Sequence, residues 1–275
     1  AATALSRRAA RGVAAGGAVA RNGRQHRVMS RQVEFGEVVD VMRPPADLGV
    51  PPRPELPDVP VLHHDDWLLA VDKPAGMLSQ PSSKPGPELA LDQLALLNLS
   101  LELGARPYLR MVHRLDRITS GVALFARNPQ AHAPLEQAWS SGAVDRRYVA
   151  VVEGRPDADE TTIDRPIARD PGHEWRFRTS EGGRDARTEL RVAERLDDNL
   201  AVVHCRLITG RTHQVRVHLA HWGHPVVGDR LYGASRAGLA ERPLLHAAVL
   251  ELPHPKDGSR MRIEAPIPDD MRSFT

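Results

Sequence analysis

The chain has 275 residues, enough for one large domain or for a medium domain with a small one beside it. Hydrophobic residues make up 41% and aromatics only 4%, so any core must be built mostly from Leu, Val, Ala and Ile, and the net charge is only +2. The one cysteine, Cys205, excludes an intrachain disulfide and a cysteine-based zinc site, and no apolar run approaches the roughly 20 residues that span a bilayer.

The charge is unevenly placed. Up to Val41 there are seven arginines against three acids, and the first 33 residues hold no acid at all. Such a basic segment fits a nucleic-acid arm, and it also fits an organellar transit peptide. Lysine occurs only at positions 73, 84 and 256, so nearly all positive charge is arginine. Arginine makes planar, bidentate contacts with phosphates and stacks on bases, although a codon bias explains the same usage.

In chain order, Ser6 can cap an Arg-rich helix that stops near Gly16 and Gly17. "AVARNG" predicts a short strand ending in an Asn22-Gly23 turn. "VEFGEVVDV" alternates, with Val33, Phe35 and Val39 or Val41 as candidate inward residues. Seven prolines between residues 44 and 60 exclude helix and central strand, so this stretch reads as an extended linker. The expected division is 1–43, linker 44–60, and 61–275.

Beyond the linker, "WLLAVDKP" predicts a strand stopped at Lys73-Pro74, and "GPELALDQLALLNLSLELG" a helix. "GVALFARN" predicts a strand, after which Asn128 caps a helix that opens with Pro129 and runs to Ser140. "RRYVAVVEG", "ARTELRVAERL" and "LAVVHCRLITG" predict strands with short connections, which favours antiparallel pairing. "THQVRVHLAHWG" reads as a helix between Thr212 and Gly223, and "LHAAVLELPHP" and "MRIEAPIP" as late strands. Together they predict an α+β fold with a mixed, mostly antiparallel sheet, preceded by a small α/β unit.

The densest motif is "HRLDRITSG", residues 113–121. One carboxylate, Asp116, stands between Arg114 and Arg117, with two hydroxyls following. Cations keep a carboxylate ionised, which suits a buried salt bridge and equally a nucleophile. This segment resembles the signature of the RluA-type pseudouridine synthases. "VDKPAGMLSQP" (71–81), "RRYVAVVEG" (146–154), "LITGRTHQVRVHLAHWGHPVVGDRLYG" (207–233) and "LLHAAVLELPHP" (244–255) resemble further motifs of that family, in its order. The resemblance covers roughly residues 60–270. It departs at Ile118, where the family often has an acid. The N-terminal pattern, a helical segment, then G-x-V-x-x-N-G, then V-x-x-G-E-x-V-x-V, resembles the S-four RNA-binding domain.

The resemblance implies an enzyme that moves uracil from an N-glycosidic to a C-glycosidic bond on one ribose, with no cofactor and no metal. It assigns the nucleophile to Asp116, a base-stacking role to Tyr148, and the basic partner of Asp116 to Arg211, with Gly210 allowing close approach. The residues alone leave a structural Asp–Arg pair and a core Tyr as the alternatives. Arg114 is placed to hold a phosphate or fill a vacated stack, or else is a solvated loop residue. His113 is placed to contact RNA or to satisfy backbone groups. Leu207 is placed to pack under the base or in the core. Thr119 and Ser120 are expected to fix the loop by side-chain to backbone bonds.

His213, His218, His221 and His224 invite a metal reading, but no HExxH is present and no cysteine joins them. They are expected to cap, pack or touch RNA. The implied partner is ribosomal RNA of the large subunit, with transfer RNA as the alternative substrate. A non-catalytic assembly factor that retains the fold is the rival from another class. The protein is expected to act as a cytoplasmic monomer without membrane contact.

Overall fold

A computed structural model describes residues 19–22, 24–25, 32–41, 59–82, 89–103, 106–235 and 237–274. It divides into two compact units, residues 1–59 with 80–110 and residues 60–79 with 111–275. Residues 80–110, read from the sequence as part of the large domain, therefore group with the N-terminal segment. The expected Ser6 helix and the Pro-rich stretch before Val59 lie outside the described residues.

In the first unit β1 (Val19–Arg21), β2 (Arg24–Gln25) and β3 (Val39–Val41) form an antiparallel sheet in the order β2-β1-β3. Asn22 adopts the left-handed region (φ 49) where β1 turns toward β2. Its Oδ1 accepts the Val38 N–H at 3.2 Å. The expected inward residues Val33, Phe35 and Val39 are exposed, whereas Ala20 and Val38 are buried. The reason is Gly36, which turns the chain at φ 83. Ladder pairing starts only at Val39, so an alternation read continuously from Val33 has the wrong phase. The leucine-rich helix α1 (Leu91–Leu103) completes this unit, with Ala90, Leu91 and Leu94 buried.

The large sheet is built from β4 (Val61–His64), β5 (Leu68–Lys73), β6 (Arg110–Met111), β7 (Ser120–Ala126), β8 (Asp145–Glu153), β9 (Glu160–Asp164), β12 (Arg187–Leu196), β13 (Leu200–Leu207), β14 (Leu245–Pro253) and β15 (Arg260–Glu264). A separate hairpin is made of β10 (Ile167–Arg169) and β11 (Phe177–Thr179). The main order is β4-β5-β7-β14-β8-β13-β12-β9, with β15 on β14. β7 and β14 pair in parallel, and the β1–β2, β1–β3, β4–β5, β5–β7, β8–β13, β8–β14, β9–β12, β10–β11, β12–β13 and β14–β15 pairs are antiparallel. The sheet is thus mixed and mostly antiparallel, as expected.

The parallel pair sits where the catalytic-loop candidate enters β7. Gly121 lies there at φ 114, and a Cβ on it would come within 2.2 Å of the Ala247 carbonyl. Only glycine allows that approach. Asn128 Oδ1 accepts the Gln130 N–H at 2.9 Å and caps a 3-10 turn, Pro129–Ala131. The turn runs into α2 (His132–Ser140). Helix α3 (Gln214–His221) lies in the core of the second unit, with Gln214, Val215, Arg216, Val217, His218 and Leu219 all buried. A short C-terminal helix, α4 (Asp269–Arg272), buries Met271.

Candidate active site

The loop 112–119 between β6 and β7 carries Asp116, whose side chain is 28% exposed and so open to a ligand. Asp116 Oδ2 lies 3.7 Å from Arg216 Nη1 and 3.9 Å from His213 Nε2. Arg216 projects from α3 and is 4% exposed. Its Nε and Nη2 donate to the two oxygens of Asp229, at 2.6 and 2.9 Å, and Asp229 is fully buried. Its Cζ sits 4.8 Å from the ring centroid of Tyr232. The fork is therefore fixed on two sides, and Nη1 is the nitrogen left to face Asp116. Burial disfavours the Arg216 charge. The bond to Asp229 and the charges of Asp229 and Asp116 outweigh it and hold the pKa above the ordinary arginine value.

His213 completes the far wall. It is a non-glycine residue at φ 58, immediately before α3. Its Nδ1 lies 2.8 Å from the Tyr232 hydroxyl, which also accepts the Phe177 N–H at 3.0 Å. The rings of Phe177 and Tyr232 stand edge-on to it at 5.6 and 5.7 Å. Burial pulls His213 below the ordinary histidine range, with Asp116 pulling it back. A left-handed histidine held by a hydroxyl and two rings is local strain maintained beside the carboxylate.

Lys73 is the residue that sequence reasoning missed. It ends β5 with no exposure at all. Its ammonium donates to the carbonyls of Pro74, Met77 and Arg117 at 2.9, 2.8 and 3.1 Å. Burial pulls its pKa down to about 7, while the Asp116 charge opposes the fall. Further bonds join the same two loops. The Gly76 N–H donates to the Arg117 carbonyl at 2.8 Å, Arg117 Nε to the Gly76 carbonyl at 2.7 Å, and Ser79 Oγ to the Leu115 carbonyl at 2.7 Å. Asp116 is thus presented from a loop clamped on both flanks.

Tyr148, on β8, is half-buried against the cluster that contains Leu207, Cys205 and Val215. Burial pushes its phenol up to about 12, and the Asp116 charge adds to the rise while Arg146 opposes it. A phenol this weakly acidic stays neutral near pH 7, so packing and hydrogen bonding suit it better than proton abstraction. Arg146, also unremarked in the sequence, donates from Nη2 to the Leu207 and Ile208 carbonyls at 3.3 Å each. A Cβ at Gly210 would lie 2.6 Å from Arg146 Nη1, so the close approach foreseen at Gly210 is made by that guanidinium.

The remaining candidates separate. Arg211 is turned away to the Asp185 carbonyl, which its Nε reaches at 2.8 Å, and the guanidinium nearest Asp116 is that of Arg216. His113 accepts the Leu124 N–H at 3.3 Å and stacks on Trp139 at 5.6 Å, which is the backbone-satisfying alternative. Burial, then Arg146, lowers its pKa to about 4. Arg114 is exposed beside Asp116, and Leu207 is a core residue of the cluster that supports Tyr148. Ser120 contacts the His246 ring at 2.9 Å, a side-chain partner where a backbone one was expected. A groove of about 670 Å³ alongside β8 has neither Asp116 nor Arg216 in its lining, and Arg147, Arg206 and Arg262 in its wall are committed to acids.

A family model for RNA pseudouridylate synthase matches residues 67–221, more than half of the chain. The chain belongs to this family. Its relatives place it with the RluA-type synthases. An uncharacterized RNA pseudouridine synthase of Mycobacterium bovis is 39% identical over 98% of this chain and 88% of its own length. A ribosomal large subunit pseudouridine synthase D of Xanthomonas campestris is 42% identical over 78% of this chain and 68% of its own. Among solved structures, human RNA pseudouridylate synthase domain containing 1 superposes with a TM-score of 0.65 at 26% identity, covering 78% of this chain and 85% of that one. The synthase is accordingly an isomerase acting on RNA.

The histidines of the 213–224 segment are engaged by protein groups. His218 meets Thr188 Oγ1 at 2.9 Å and the Arg165 carbonyl at 3.0 Å, His224 the Glu153 carbonyl at 2.9 Å, and His221 Thr179 Oγ1 at 3.3 Å. Turnover should therefore survive exhaustive chelation while the RNA stays folded. Activity that is lost on chelation and restored by zinc would revive the metal reading.

Proposed function

We propose that the protein isomerises specific uridines of large-subunit ribosomal RNA to pseudouridine, with Asp116 as the nucleophile. The observation that carries the assignment is the aim of Arg216: its bidentate hold on Asp229 leaves one nitrogen facing a partly open Asp116. The reaction breaks the bond from ribose carbon 1 to uracil N1 and forms one from the same carbon to uracil carbon 5. The proton on carbon 5 leaves and N1 gains one, so the sum of atoms is unchanged. A carboxylate can assist by attack on the sugar, by addition to the ring, or by promoting loss of the base. Tyr148 lies against the extruded base, and the neutral phenol donates or stacks. Arg114 holds a flanking phosphate. The Arg-rich segment before Val41 adds phosphate contacts of low sequence selectivity. The names of the synthase D relatives support the ribosomal substrate.

The test is to incubate the protein with fragments of large-subunit ribosomal RNA and with transfer RNA, then map pseudouridine by carbodiimide modification and primer extension. New stops confined to the ribosomal fragments are expected. Stops in transfer RNA alone would move the substrate assignment. Stops in neither would leave the fold as a binding scaffold.

A further inference from the structure

The β10–β11 hairpin ends in the turn 170–176, and at its tip Trp175 is 63% exposed. Single exposed apolar residues are ordinary on protein surfaces. This one is distinguished by how the chain around it is fixed. Asp170 Oδ1 accepts the Gly172 N–H at 3.0 Å and its Oδ2 accepts Arg176 Nε at 2.7 Å. Arg169 Nη2 donates to the Glu174 carbonyl at 2.6 Å, and the Trp175 N–H donates to His173 Nδ1 at 3.1 Å. Both neighbours of Trp175 and its own amide are therefore tied, and a large flat ring stands in solvent on a braced turn. A pre-ordered aromatic loses little freedom when it is covered.

The hairpin is also bound to the active site. Two residues along the chain, Phe177 donates its N–H to Tyr232 and stands edge-on to His213, whose Nε2 is 3.9 Å from Asp116. Consecutive Cα atoms are about 3.8 Å apart, so Trp175 is within roughly 8 Å of Phe177 along the backbone. The surroundings are cationic. Arg165, Arg169, Arg176, Arg178 and Arg184 are all exposed, and of these only Arg176 enters an ion pair among the described residues. An exposed aromatic among exposed arginines, of which Arg165, Arg178 and Arg184 enter no ion pair among the described residues, matches single-stranded nucleic acid, in which bases stack and phosphates pair.

We propose that Trp175 is a stacking platform for an unpaired base of the substrate RNA near the target uridine, with the hairpin arginines taking the phosphates on either side. The proposal rests on the uridine-isomerising reading. It goes beyond that reading by naming how the substrate strand is held outside the pocket.

The test uses the full chain and the variants Trp175→Ala and Trp175→Phe. Turnover is measured on the ribosomal fragment that the parent modifies, and binding on a 12-residue oligouridine and on the same strand with abasic sites. Alanine should raise KM about tenfold, in line with the cost of removing a stacked ring. The value of kcat at saturating RNA should stay within about twofold, and so should the slope of affinity against salt, because the ring carries no charge. Phenylalanine should recover most of the loss. The alanine penalty on binding should vanish on the abasic strand, which keeps its phosphates. A KM within twofold of the parent in Trp175→Ala overturns the proposal and leaves the ring as a surface for a protein partner. A parent that forms no pseudouridine overturns the functional reading instead, and oligouridine binding by the two variants still decides the stacking question.

Discussion

Asp116→Asn should retain the fold and RNA binding and form no pseudouridine, with activity below about one ten-thousandth of the parent. Asparagine keeps the shape of the side chain and removes the charge that attacks or assists. The geometry also indicates how little else should change. Arg216 keeps its two bonds to Asp229 when Asp116 is neutralised, so no buried cation is left without a partner. Asp116 stands 3.7 Å from Arg216 and is partly exposed, a contact worth at most about 1 kcal/mol. The melting temperature should shift by only a few degrees. Asp229→Asn makes the useful contrast. It strips the buried guanidinium of its fixed partner, and breaking a buried pair from one side costs about 3–5 kcal/mol. That variant should lose stability and activity together, whereas Asp116→Asn should lose activity alone. A well-folded Asp116→Asn protein that turns over near the parent rate would make the carboxylate a structural member of the loop.

The exchange of Arg211 for Arg216 shows what a linear pattern conveys and what it omits. Both arginines lie in "GRTHQVRV", and adjacency to Gly210 favours the first. Between them the chain passes through the left-handed His213, which reorients it before α3 begins. That reversal leaves no mark in composition. A signal was nonetheless present: a charged residue between two valines on a helix must find a partner if the helix is buried, and Asp229 follows thirteen residues later. The long strands β5, β7, β8, β12, β13 and β14 were legible because each alternates or runs apolar, and α2 because of its Asn128–Pro129 start. Strands β9, β10 and β11 were not. They are three to five residues long, with one buried residue in each of β9 and β10 and none in β11, too little for burial to impose a readable period. Yet this is the stretch that carries Trp175. The fold followed from periodicity, while the site depended on contacts between segments distant in sequence.

Lys73 was hidden for a related reason, and it carries the other large expected effect. In a chain that uses lysine at only three positions, one of them closes a buried strand under the Asp116 loop. Its compact ammonium offers three donors to three carbonyls, a match that the planar guanidinium of arginine cannot copy. Lys73→Met keeps the length, removes the buried charge and takes the lysine donor from the Pro74 and Met77 carbonyls, at about 1–3 kcal/mol for each that water cannot reach, while the Arg117 carbonyl keeps the Gly76 N–H. Relief of the buried charge offsets part of this. Activity should fall about a hundredfold, because a shift of the loop by about 1 Å is enough to misplace the carboxylate. KM should change little, since no RNA contact is removed. Lys73→Arg should not rescue, for want of space.

The pH dependence of stability separates the charge of Lys73 from its packing. With a native pKa of about 7 against 10.5 for the free side chain, the unfolded chain binds a proton between those values that the native state does not. Stability rises with pH wherever the unfolded state holds more protons. The stability of the parent relative to Lys73→Met should therefore be flat and least favourable below about pH 7, then improve steadily from pH 7 toward 10. Chemical denaturation of both proteins across pH 6–10 measures this difference directly. Two influences oppose burial, the Asp116 charge and the carbonyl triad, and both favour the charged ammonium. If the two together outweigh burial, the difference will stay flat over the whole range. Lys73 would then be a permanently charged anchor, holding Asp116 by position and by field at every pH at which the enzyme works.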